Sequence, residues 1–194
     1  KLYLTLVSII GKTRNWNQLI YISKEAYNKK IIDQKLFNQN TGIAYYEISK
    51  IKKQSDPRES LNLILKAIKI HGPFPPFIKL HLEILLIMNE ISKINKVIKK
   101  YWNSDPSSSL RRIISEFLKK NKIGNIENIK SIIKGSRDDK ESKKLLVDFA
   151  IHNGEWSLAR DNVNGLIKFN PDREVCILMA ALEMGEFNDI QKRD

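Results

Sequence analysis

The chain has 194 residues, 42% hydrophobic and 29% charged, with a formal net charge of +12. That size and balance suffice for a packed core and exclude a compositionally disordered chain. The single cysteine, Cys176, excludes an internal disulfide and any multi-cysteine zinc or iron–sulfur centre.

The first residue is Lys1, not Met, so the chain reads as part of a longer protein. "LYLTLVSII" at its start is too short to cross a bilayer, and no secretory signal pattern is present. Beyond it, apolar residues recur at three- and four-residue spacing, which predicts amphipathic helices throughout and almost no strand. A break is expected at Gly11 to Asn15, followed by a helix carrying Trp16, Leu19 and Ile20. A long helix from about Lys35 to Lys53 follows, with Gly42 and Tyr45 one turn apart. Ser55-Asp56-Pro57 then supplies a helix start for its partner. Further breaks fall at His71 to Pro76, Asn103 to Ser108, Gly135 to Asp138 and Asn170 to Asp172.

An all-helical chain with short turns calls for a search for repeats. The stretch Gly154, Trp156, Ala159, Val163, Leu166, Pro171 serves as the template. Asn89, Ile91, Ile94, Ile98, Tyr101 and Pro106 fall at the same offsets, as do Gly124, Ile126, Ile129 and Ile133. Gly185, Phe187 and Ile190 begin the pattern again. The turn positions Asn89, Gly124, Gly154 and Gly185 lie roughly 30–35 residues apart, the period of helical hairpins. In this reading Gly or Asn closes each first helix in the left-handed conformation, and the large residue two later wedges into the joint.

These offsets resemble the tetratricopeptide repeat (TPR). The resemblance implies an all-α, right-handed superhelical solenoid of TPR-like hairpins over residues 1–194. That is one domain of about five hairpins and the start of a sixth, less regular in 1–73 and most TPR-like in 75–194. Three stretches carry a narrower resemblance, to HemY proteins: "AIKIHGPFPPF", "KVIKKYWNSDPSSSLRRI", and "HNGEWSLARDNV" followed by "REVCILMAALEMGEFND". HemY proteins are bacterial inner-membrane proteins with N-terminal membrane-spanning helices and a TPR region, associated with late haem biosynthesis. The resemblance implies a non-catalytic protein–protein scaffold whose membrane anchor lies outside this sequence. Its soluble part is expected on the cytoplasmic side, and its partners are other proteins, haem-biosynthesis enzymes among them.

No catalytic or metal motif is recognisable. The eight glycines form no G-x-G-x-x-G and the three histidines no H-E-x-x-H, so neither a cofactor nor a metal is expected. His152 reads as a residue at a helix C-terminus, and His71 and His81 as turn and surface residues. Cys176 reads as a small buried apolar group. Trp16, Tyr101, Trp102, Trp156 and Phe187 read as packing at hairpin joints rather than as bases' stacking partners.

The remaining signal is charge. Lys93, Lys96 and Lys100 share one side of a second helix; Arg112, Glu116 and Lys119, and Lys144, Asp148 and His152, do so on first helices. In a TPR array the first helices line the concave groove, which makes Lys79, Arg111, Arg112, Lys144 and Asp148 the candidate partner-binding residues. The basic balance also suits contact with an acidic membrane surface. Nucleic acid is the less favoured partner and would require lysines clustered on one face; a tetrapyrrole would require His71 or His81. Lysine-, isoleucine- and asparagine-rich stretches such as "KINKVIKK" also follow from AT-rich codons.

Overall fold

A computed structural model describes residues 2–136, 139–169 and 171–191. All regular structure in them is helical: α1 (Leu2–Thr13), α2 (Trp16–Asn28), α3 (Gln34–Lys52), α4 (Pro57–His71), α5 (Pro75–Ile87), α6 (Ile91–Ser104), α7 (Ser108–Asn121), α8 (Ile126–Ile132), α9 (Lys140–His152), α10 (Trp156–Phe169) and α11 (Arg173–Gln191). A single 3₁₀ turn, Ile133–Gly135, extends α8. Among the described residues no helix is long and apolar enough to cross a membrane. The chain divides into two compact units, Lys1–Ile94 and Asn95–Asp194, with the boundary inside α6.

The helix starts follow local chemistry. Asn15, Asp33, Asp56, Ser107, Asn125 and Asp139 each accept a hydrogen bond from a backbone N–H of the first turn, satisfying donors that the helix leaves open. Pro57 and Pro75 each occupy a first helical turn, where a missing N–H costs nothing.

In the first unit α2 packs on α1 and α3, α3 on α4, and α4 on α5. Ile10, Leu19 and Ala44 form one buried cluster; Ile64, Ala67, Phe77, Leu80 and Ile84 form another. The α3–α4 contact is close because Gly42 has no side chain: a Cβ there would lie 2.6 Å from the His71 Cβ. Ser49 and Ser60, both fully buried, exchange hydroxyl-to-carbonyl hydrogen bonds of 2.8 Å across the same pair.

In the second unit α9 is the hub, packing against α7, α8, α10 and α11. Trp102 is completely buried and its indole N–H donates to Ser142 Oγ at 2.9 Å and Ser136 Oγ at 3.1 Å, which ties α6 to the start of α9.

Four expectations are corrected. Gly185 does not end a helix: α11 runs through it, and the glycine lies under the Trp156 ring, where a Cβ would sit 2.9 Å from Cη2. Phe187 is accordingly 60% exposed, not wedged into a joint, while Trp156 is a joint, between α10 and α11. Cys176 is exposed, because it lies on the outer side of α11 while Val175 and Leu178 take the buried positions. His81 is buried, since α5 is covered on most of its circumference. The break expected at Gly135 to Asp138 falls partly on residues 137 and 138, and that at Asn170 to Asp172 partly on residue 170, outside the described residues, as is the side chain of Ile190.

Candidate functional site: an ionic ladder on alternate helices

On α7, positions 111, 115 and 119 are four apart and share a face. On α9, positions 141, 144 and 148, three and then four apart, also share a face. The two faces meet. Arg111 Nε lies 2.8 Å from Glu141 Oε2, Lys119 Nζ lies 2.7 Å from Asp148 Oδ1, and the Ser115 hydroxyl donates to Asp148. Lys119 Nζ also stands 5.4 Å from the Phe149 ring centroid.

The same ladder continues to the start of α11. Lys144 Nζ contacts Glu141 Oε1 at 3.1 Å, Asp172 Oδ2 at 2.8 Å and Glu174 Oε2 at 2.9 Å. Arg111 Nη2 reaches Glu174 at 2.9 Å, and Lys140 Nζ reaches Asp172 at 2.9 Å. Asp172 also caps α11, accepting the Val175 N–H at 2.9 Å. Only 2% of the Lys144 side chain and 8% of the Arg111 side chain is exposed.

Burial alone would lower the Lys144 pKa, but hydrogen bonds to Asp172, Glu174 and Glu141 outweigh it and hold the ammonium above its ordinary value. The hydrogen bond from Lys144, then that from Lys140, hold the Asp172 carboxyl well below the usual carboxylate range. Glu174 is lowered chiefly by its hydrogen bond from Lys144. The ladder's four cations, Arg111, Lys119, Lys140 and Lys144, meet four carboxylates, Glu141, Asp148, Asp172 and Glu174. Chemically the arrangement is a neutral brace that fixes α7, α9 and α11 side by side.

The structure thus brings together Arg111, Lys144 and Asp148, with their charges met inside the chain. Arg112 is exposed on α7, off the ladder, and Lys79 is half-buried on α5 of the first unit. Glu141, Asp172, Glu174 and the Lys53–Glu83 pair were not singled out by helix-face reasoning. A signal for them exists: Arg111–Glu141, Lys144–Glu174 and Lys53–Glu83 are each separated by 30 residues, with Nζ or Nε to carboxylate distances of 2.8, 2.9 and 2.6 Å. That separation lies at the lower end of the roughly 30–35 residues expected between hairpin turns.

His71 is packed against Phe74 and Phe77, with ring centroids 5.4 and 5.1 Å away. Among the described residues no group of three or more His, Cys, Asp or Glu side chains could hold a metal ion. No protein-family model, curated protein or solved structure matches the chain.

Proposed function

We propose that this chain is a non-catalytic protein-binding scaffold, each unit a run of TPR-like hairpins wound as in a right-handed solenoid. We further propose that it is the TPR region of a HemY-like inner-membrane protein and gathers enzymes of late haem biosynthesis. The observation that carries the repeat reading is the 30-residue ion pair. Cation and carboxylate at equivalent places in successive first helices can meet only if those helices lie side by side, as alternate helices of stacked hairpins do. The HemY reading rests on "AIKIHGPFPPF", "KVIKKYWNSDPSSSLRRI" and the Cys176-to-Glu183 run. A braced, rigid face suits recognition, because little order is lost when a partner segment docks.

With Arg111 and Lys144 engaged inside the chain, the exposed Arg112 is the contact residue to probe. A photo-crosslinking residue placed at Arg112 in the full-length protein, in its own cells, should capture haem-biosynthesis enzymes. The same residue at Asn164, exposed on α10, should not. Equal capture from both positions would remove the assigned face, and absence of pathway enzymes from both would remove the scaffold reading.

A further inference from the structure

The positive charge of the second unit is unevenly distributed. The ladder on α7, α9 and α11 is neutral, yet α6 carries only lysines and no acidic residue along its whole length. In the second unit these are Lys96, Lys99 and Lys100, and Lys100 is drawn over the Tyr101 ring at 6.0 Å. Lys96 and Lys99 have no hydrogen-bond or ion-pair partner among the described residues. The nearest pair on α8, Lys130 with Glu127 at 2.8 Å, is self-compensated.

Lys96 and Lys99 line a cleft of about 210 Å³ with Asn95 from α6 and Asn128, Ser131 and Ile132 from α8. Ile132 is buried, so the polar groups the lining offers are two ammonium, two amide and one hydroxyl group, carried on apolar stems that make up most of its accessible surface. Two ammonium groups one helical turn apart, flanked by neutral hydrogen-bond donors, match successive phosphates along a strand. A bilayer surface is flat and would touch the crest of such a helix rather than a recess. Tyr101 and Trp102 are buried, at 6% and 0% exposure, so no ring on α6 is left for a base to stack on.

We infer that the α6–α8 cleft holds the phosphodiester backbone of a single-stranded nucleic acid, through Lys96 and Lys99 with Asn95, Asn128 and Ser131, without reading bases. This goes beyond the scaffold reading and does not depend on it.

The test is fluorescence anisotropy of a labelled twelve-nucleotide oligouridine, and the matching oligothymidine, with the full chain at several salt concentrations. Two neutralised phosphates contribute a slope of about −1.4 in log K against log salt. The Lys96→Glu/Lys99→Glu variant should bind at least tenfold more weakly and lose about that slope. Lys96→Gln/Lys99→Gln should lose the same slope with less charge reversal, and thermal melting of both variants guards against misfolding. Lys24→Glu/Lys35→Glu, which changes net charge equally at exposed sites on α2 and α3, should stay within twofold of the parent. Equal loss in that control would reduce the cleft to a share of general charge and overturn the site. Binding to anionic vesicles that depends on Lys96 and Lys99, with no oligonucleotide binding, would replace nucleic acid by a lipid surface. Unchanged oligonucleotide binding in both cleft variants would also refute the inference.

Discussion

Replacing Lys144 by methionine removes the centre of the ladder while keeping an unbranched stem of similar length. Three carboxylates, Glu141, Asp172 and Glu174, then lose their shared ammonium. Removing one partner of a fully buried ion pair costs about 3–5 kcal/mol. Here the side chains of Asp172 and Glu174 are each 38% exposed, so water takes over part of their solvation. The expected loss is therefore about 2–3 kcal/mol. At about 2–4 °C per kcal/mol for a chain of this size, the Tm should fall by roughly 4–12 °C. Lys140→Met is the control: its pair with Asp172 is partly exposed on both sides, so its loss should stay below about 1 kcal/mol. Urea unfolding of both variants gives the comparison. Asp172→Asn added to the Lys144→Met background should restore part of the stability: it relieves the repulsion among carboxylates left without the ammonium, Asn still accepts the Val175 N–H, and Glu141 and Glu174 stay paired with the buried Arg111. If Lys144→Met costs no more than Lys140→Met, or if neutralising Asp172 restores nothing, the ladder is not the brace described.

The same groups set a pH dependence. The folded-state pKa values of Asp172 and Glu174 are depressed, so the unfolded chain binds more protons. Their stabilisation is full above the ordinary carboxylate pKa and is lost as pH falls through the folded values. Urea midpoints should therefore drop below about pH 4, with a shallower drop in Lys144→Met, and a parallel drop in both proteins would count against the linkage. Two glycines give opposite expectations. Gly124→Ala would place a Cβ 2.7 Å from the Phe149 Cε1 and 3.0 Å from the Leu118 Cβ, both side chains fully buried, and should cost about 1–3 kcal/mol. Gly165→Ala, inside α10 with nothing within 4 Å, should instead stabilise by about 0.5–1 kcal/mol by the same urea measurement.

Why the sequence showed some of this and hid the rest follows from the range of the forces involved. Helix existence is local: periodicity located the long α3, expected over Lys35 to Lys53 and found at Gln34–Lys52. Turn chemistry was legible where a left-handed residue is required, as at Asn89 with φ 58° and Gly154 with φ 73°. It misled where a glycine serves space instead. Gly185 repeats the Gly154 offset, yet its lack of a side chain admits the Trp156 ring inside a continuous helix. Gly124 likewise makes room for Phe149, and the left-handed position before it belongs to Lys122, with φ 54°. The charges are the sharper case. Helix-face spacing put Arg111 and Lys144 on first helices but could not say whether a partner or another helix would meet them. Their answering carboxylates lie 30 residues away, invisible to any window one helix long. A separation of 30 brings Arg111–Glu141, Lys144–Glu174 and Lys53–Glu83 into view, whereas Lys29 and Glu90, which also have an opposite charge 30 residues on, pair three or four residues away with Glu25 and Lys93. Among the described residues Lys96 and Lys99 have neither kind of partner, with Ile126 and Ile129 standing 30 residues on, and keep their charge to offer a ligand.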